Sequence, residues 1–90
     1  MLFSIICLDH DNSLEKRLST RAEHLKYVRE TGLVSYAGPL LSDEDEDMIG
    51  SLIIIEAESK QKALVWSKND PYNKAGLFRS VEIYKFKKLI

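Results

Sequence analysis

The sequence predicts an α+β fold, a four-stranded antiparallel sheet with two helices on one face, in the order strand, helix, strand, strand, helix, strand. Three observations predict it. Four apolar runs of strand length are interleaved with two stretches of helical length. Clusters of Asp, Asn, Ser, Gly and Pro separate them. The resulting order is that of the split βαβ arrangement. With 90 residues and no repeat or low-complexity linker, the expectation is one domain spanning residues 1–90. A domain of this size buries only about 60 to 65% of the surface its unfolded chain exposes, so an additional source of apolar burial is expected.

Leu2 to Leu8 reads as a buried strand, short, apolar on both alternating faces, and closed by the turn cluster Asp9-His10-Asp11-Asn12-Ser13. Ser13 is the expected N-cap of a helix from Leu14 to Thr31. Glu15 in its first turn suits the macrodipole, and Gly32 can take the left-handed conformation that ends helices. On that helix Leu14, Leu18, Leu25 and Val28 fall on one stripe, the pattern of a helix docked on a sheet. Arg21 falls inside the stripe and His24 at its margin, one turn away, so both side chains reach one place. A guanidinium on a buried face needs an anion or carbonyls, because an unpaired buried charge costs several kcal/mol.

Leu33 to Leu41 reads as a second strand, and Pro39 within it predicts an edge position or a bulge, since proline cannot donate to the ladder. Ser42 to Asp47, a serine followed by five acidic residues, reads as a solvated connection. It lacks the glycine and distal glutamate of a calcium loop, so no metal site is expected. Ser51 to Ala57 is the most apolar strand, with neither face suited to water. Ser59 or its neighbour caps a second helix from Lys60 to Lys68, with Ala63, Leu64 and Trp66 as its apolar surface. Pro71 stops it with Asp70 in extended conformation, and Asn73 to Gly76 makes a further turn. Ser80 to Phe86 closes the chain as a strand carrying Val81, Ile83 and Tyr84. Both helices on one face leave the other bare. A second sheet from an identical chain is the simplest cover, which predicts a two-fold homodimer.

Composition narrows the function. A 44% hydrophobic and 30% charged content is that of a folded protein, and a net charge of −1 argues against nucleic-acid binding. No run approaches a membrane span and the N-terminal stretch lacks a basic n-region, so no membrane partner and a cytoplasmic location are expected. Cys7 is the only cysteine, which excludes a disulfide or a zinc cluster within one chain and fits a reducing compartment. With no basic neighbour in sequence it reads as an inert buried thiol.

Several short motifs occur in order: Ser13-Leu14-Glu15-Lys16-Arg17 followed by Arg21-x-x-His24-Leu25, Ala37-Gly38-Pro39, Gly50-Ser51, Asp70-Pro71-Tyr72 with Ala75-Gly76, and Phe86-Lys87-Lys88. Taken as a set, over nearly the whole length, they resemble the YciI-like family, in the dimeric α/β barrel group that includes muconolactone isomerase. The resemblance implies a ferredoxin-like fold, a homodimer with higher assemblies left open, no cofactor, and an active site of His24 and Asp70. It also implies small-molecule chemistry, since one branch of the family removes chloride from a chlorinated hydroxylated aromatic.

A His–Asp pair needs no cofactor. The carboxylate fixes one imidazole nitrogen as donor and leaves the other to take or return a proton. Arg21 would hold an anionic substrate or an enolate as it forms, with Tyr72 and Ser51 as further candidate substrate contacts. The expectation is an enzyme-like protein performing isomerisation or elimination on a small anionic, phenolic or carbonyl compound. The alternative is a non-catalytic small-molecule-binding or accessory dimer. Structural readings stand beside these: His at the edge of an apolar stripe is often a hydrogen-bonded core residue, and Asp before Pro is a common turn residue.

Overall fold

Period-two alternation builds the centre of the sheet. In β1 (Leu2–Asp9) every second side chain, Phe3, Ile5, Cys7 and Asp9, is buried, and the intervening four are half-buried. The structure, a computed structural model, describes residues 1–90. It continues with α1 (Leu14–Thr31), β2 (Val34–Leu41), β3 (Met48–Glu56), α2 (Lys60–Asn69), α3 (Pro71–Lys74) and β4 (Phe78–Phe86). The strands form one antiparallel sheet in the order β2-β3-β1-β4. The βαββαβ arrangement read from the sequence is therefore present, with one added helical turn.

Facing residues in register pair Phe3 with Ile55, Ile5 with Ile53 and Ile5 with Ile83. These side chains, with Cys7, Ala63 and Trp66, make the core between sheet and helices. Gly50 lies opposite Leu8 in mid-strand, where a Cβ would run into the Cys7 carbonyl of β1. Only glycine lets the two backbones approach so closely there. β2 is an edge strand, as Pro39 predicts, and its pairing with β3 is irregular between Leu40 and Leu41.

α1 has the bounds read from the sequence, and Gly32 ends it at φ 65°, donating its N–H to the Val28 carbonyl. Its buried face is different from the one expected. Arg17 and His24 are buried, Tyr27, Val28 and Thr31 are half-buried, and Leu14, Leu18 and Leu25 lie exposed, Leu18 at 52%. Arg21 is exposed as well. The cause is the sheet beneath. The C-terminal half of α1 lies on the apolar core through Tyr27 and Val28, whereas its N-terminal half covers Asp9 and Ser51, which call for a polar partner. Ser13 occupies the N-cap position without capping: its Oγ donates to the Asp11 carbonyl instead.

α2 is capped by Ser59, whose Oγ accepts from the Lys62 N–H. It buries Ala63, Trp66 and Ser67, and Leu64 faces outward rather than joining the apolar surface. Two bonds tie the helices together, Tyr27 Oη to the Trp66 carbonyl at 2.8 Å and Trp66 Nε1 to Thr31 Oγ1 at 3.0 Å. After α2 the chain does not simply turn. Asp70, extended at φ −60° and ψ 127°, caps α3, and Pro71 takes its first position. That is where proline's fixed φ and missing N–H cost nothing. The far side of the sheet, with Ile6, Leu52 and Ile54 at its centre and Tyr36 and Tyr84 outward, carries no helix. No helix is long and apolar enough to cross a membrane.

Candidate active site

Burial of an arginine on α1 determines what surrounds it. Arg17 is 3% exposed, and Asp9, the last residue of β1 and on the same face as Cys7, receives it with both oxygens. Nε donates to Oδ2 at 2.8 Å and Nη2 to Oδ1 at 2.9 Å, while Nη2 also donates to Ser51 Oγ at 2.9 Å. Burial works against the Arg17 cation, but the hydrogen bond and charge of Asp9 outweigh it and hold the group above its ordinary value.

Two turns on, His24 meets the carboxylate that caps α3. Asp70 Oδ1 lies 2.7 Å from His24 Nδ1 and accepts the Tyr72 N–H at 3.0 Å. An ionised carboxylate can only accept, so Nδ1 is the protonated nitrogen and Nε2 carries the free lone pair. Asp70 is 1% exposed and His24 8%. The Tyr72 ring stacks on the imidazole at 4.1 Å and 16°. Burial raises the Tyr72 phenol above its usual value and the nearby Arg17 and Arg21 cations pull it back in part, so it stays a neutral O–H at neutral pH.

A cavity of about 300 Å³ opens over these groups, lined by Arg17, Arg21, His24, Ser51 and Tyr72 on the polar side. Leu25, Val28, Val34, Pro39, Met48 and Ile53 form its apolar side. All five residues singled out in the sequence thus share one cavity or, for Asp70, touch a residue that lines it. Arg21 is not the buried arginine expected: it reaches the cavity from the exposed side of α1 and forms no ion pair or side-chain hydrogen bond. Sequence reasoning missed Arg17 and Asp9. The available signals were the seven-residue spacing from Arg17 to His24, which places both on one helix face, and the alternation Phe3, Ile5, Cys7, Asp9.

Cys7 lies on the same face of β1. Burial pushes its thiol up from 9.0 to about 12, with the Asp70 carboxylate adding to the effect, so it is neither a nucleophile nor a ligand at neutral pH. Between those values the unfolded chain has lost a proton that the folded protein keeps. Stability due to this group is therefore intact below about pH 9 and falls as pH rises, by about 1.4 kcal/mol per unit. Urea denaturation at about pH 8 and about pH 10 should show a smaller alkaline loss for Cys7→Ala than for the wild type. Equal losses would mean that the thiol is solvated in the folded protein.

Four similarities accompany this geometry. The model of the YCII-related domain matches residues 1–87. Protein YciI of Escherichia coli is 37% identical over a 97-residue alignment covering 99% of both chains, and an uncharacterised protein of Haemophilus influenzae is 35% identical with the same coverage. Among solved structures, 5-chloro-2-hydroxyhydroquinone dehydrochlorinase of Burkholderia phenoliruptrix, in complex with 2,5-dihydroxybenzoquinone, superposes with a TM-score of 0.89. It is 36% identical, and the match covers 97% of this chain and 94% of that one.

Proposed function

The chain belongs to the YCII-related domain family, and from that premise we propose that it is a cofactor-independent enzyme in which His24 transfers protons on a small acidic phenolic or carbonyl compound. The observation that carries this is the 2.7 Å contact between His24 Nδ1 and Asp70 at the base of a cavity. Asp70 fixes the tautomer and stabilises the imidazolium, and Nε2 takes or returns a proton. Arg21, the cation without a partner, binds the anionic oxygen of the substrate, and the Tyr72 hydroxyl and Ser51 contact the remaining oxygens. A volume of about 300 Å³ suits a single substituted ring.

The dehydrochlorinase likeness supplies a concrete substrate class, a chlorinated polyhydroxybenzene. Elimination from such a ring balances without an oxidant. His24 takes a proton from one ring hydroxyl and delivers it to the chlorine-bearing carbon, giving a ketone tautomer. Chloride then leaves with its bonding pair as a second hydroxyl proton goes to His24, so the net loss is one proton and one chloride. Incubation with 5-chloro-2-hydroxyhydroquinone should release chloride and a quinonoid product. Tight binding with no product from this or related phenolic and carbonyl compounds would assign the cavity to ligand binding alone.

The reading includes a homodimer in a cytoplasmic setting, consistent with one buried thiol and with the sheet face that carries no helix, where Ile6 and Leu52 are only half-buried and Tyr36 and Tyr84 are exposed. Light scattering should give the mass of two chains for the wild type and of one for Leu52→Asp, because a carboxylate cannot be buried unpaired between two sheets. A one-chain mass for the wild type would end the dimer assignment.

A further inference from the structure

We infer that Arg17 is a positioning residue that sets the orientation of the His24 ring through Tyr72, leaving substrate charge to Arg21. This rests on the role proposed for His24. The Arg17 guanidinium carbon lies 4.7 Å from the centre of the Tyr72 ring, and the His24 ring stacks on the same tyrosine at 4.1 Å. Arg17 and His24 are seven residues apart on α1, about 10.5 Å along the axis, and both meet the ring of this one tyrosine.

A ring on a helix has two torsions to fix. The Asp70 contact at Nδ1 determines which way the imidazole edge points, and the stack on Tyr72 determines the plane in which it lies. Together they decide where Nε2 is aimed. Tyr72 is held by its own N–H on Asp70, by the edge of Phe78 at 6.0 Å and 71°, and by Arg17. Arg17 is held in turn by the two-pronged contact with Asp9 and by Ser51. The chain of contacts thus runs from the end of β1 through a rigid planar cation to the imidazole. Arg17 faces the cavity, yet its charge is already matched by a buried carboxylate. Arg21 has no such match, and the two arginines therefore have different tasks.

Arg17→Lys keeps a cation for Asp9 but loses the planar fork that both pairs with the carboxylate and lies over the ring. A second variant, Asp9→Asn with Arg17→Met, removes both charges together and leaves no unpaired buried charge. The first reading is the NMR position of the His24 ring protons, which the stacked tyrosine shifts upfield. In Arg17→Lys that shift should shrink toward the value of a free imidazole, with the Ile53 and Ile55 methyl signals in place; the double variant should behave alike and stands in if Arg17→Lys does not fold. Kinetics with 5-chloro-2-hydroxyhydroquinone should show kcat falling by about tenfold or more with KM little changed, whereas Arg21→Gln should raise KM and leave kcat nearly intact. An unchanged His24 shift in either folded variant overturns the positioning role. A lost shift in a protein whose wild type turns over nothing leaves that role standing and removes the enzymatic reading instead.

Discussion

Alanine in place of His24 should lower kcat/KM for proton transfer by about 10²- to 10⁴-fold, the usual contribution of a positioned acid or base. The expected split is mostly in kcat, because Arg21 and the apolar wall still bind substrate. The mass in solution should stay that of the wild type, while urea denaturation should show a loss of about 1–3 kcal/mol, because the buried Asp70 carboxylate keeps the Tyr72 N–H but loses its imidazole partner. Asp70→Asn is the companion experiment. The amide retains size but not charge, so the imidazolium loses its counter-ion and the tautomer its fixed acceptor, and turnover should again fall. Full turnover in the His24→Ala protein would sink the assignment outright.

Asp9→Ala should be the most destabilising single substitution near the cavity, by about 3–5 kcal/mol, because it leaves the buried Arg17 cation without its carboxylate. For a domain with about 5–15 kcal/mol in total, that is roughly a fifth of its stability or more. The melting temperature should drop on the order of 20 °C, taking about 4–8 °C per kcal/mol for a chain of this size. Combining Asp9→Asn with Arg17→Met should recover much of the loss, since removing a buried pair together is far cheaper than orphaning one member. A loss below about 1 kcal/mol for Asp9→Ala would show that water reaches the guanidinium.

The order of elements along the chain and the bounds of α1 were legible because they depend on local signals. β1 and β3 are apolar on both faces, Pro39 marks an edge strand, and Gly32 ends the helix. The buried face of α1 was not legible, since three leucines outweigh one arginine in any apolar pattern. Which face is buried was decided by the polar end of the sheet, where Asp9 and Ser51 await a cation. Asp9 was hidden because it adjoins His10 and Asp11 and so reads as part of their turn, although by alternation it belongs with Phe3, Ile5 and Cys7. The meeting of His24 with Asp70, 46 positions apart, followed from the family resemblance, as no helical or strand period connects them. The one-turn helix after Asp70 was missed because the same proline that ends α2 is also suited to begin α3.

The strand order sets a timetable for assembly. β1, made first, takes its two neighbours from β3 and β4, with Leu2 pairing Glu56 on one side and Phe86 on the other. Such distant pairings slow folding, because a long loop must close before any contact rewards it. The pair Asp9 and Arg17 is separated by eight positions and can form while the sheet is still incomplete. Asp70 and Tyr72 join His24 only when the last third of the chain packs. The contact of His24 with Asp70 therefore depends on a far longer chain closure than the ion pair of Arg17 with Asp9, and the two halves of the cavity wall differ in how local their assembly is.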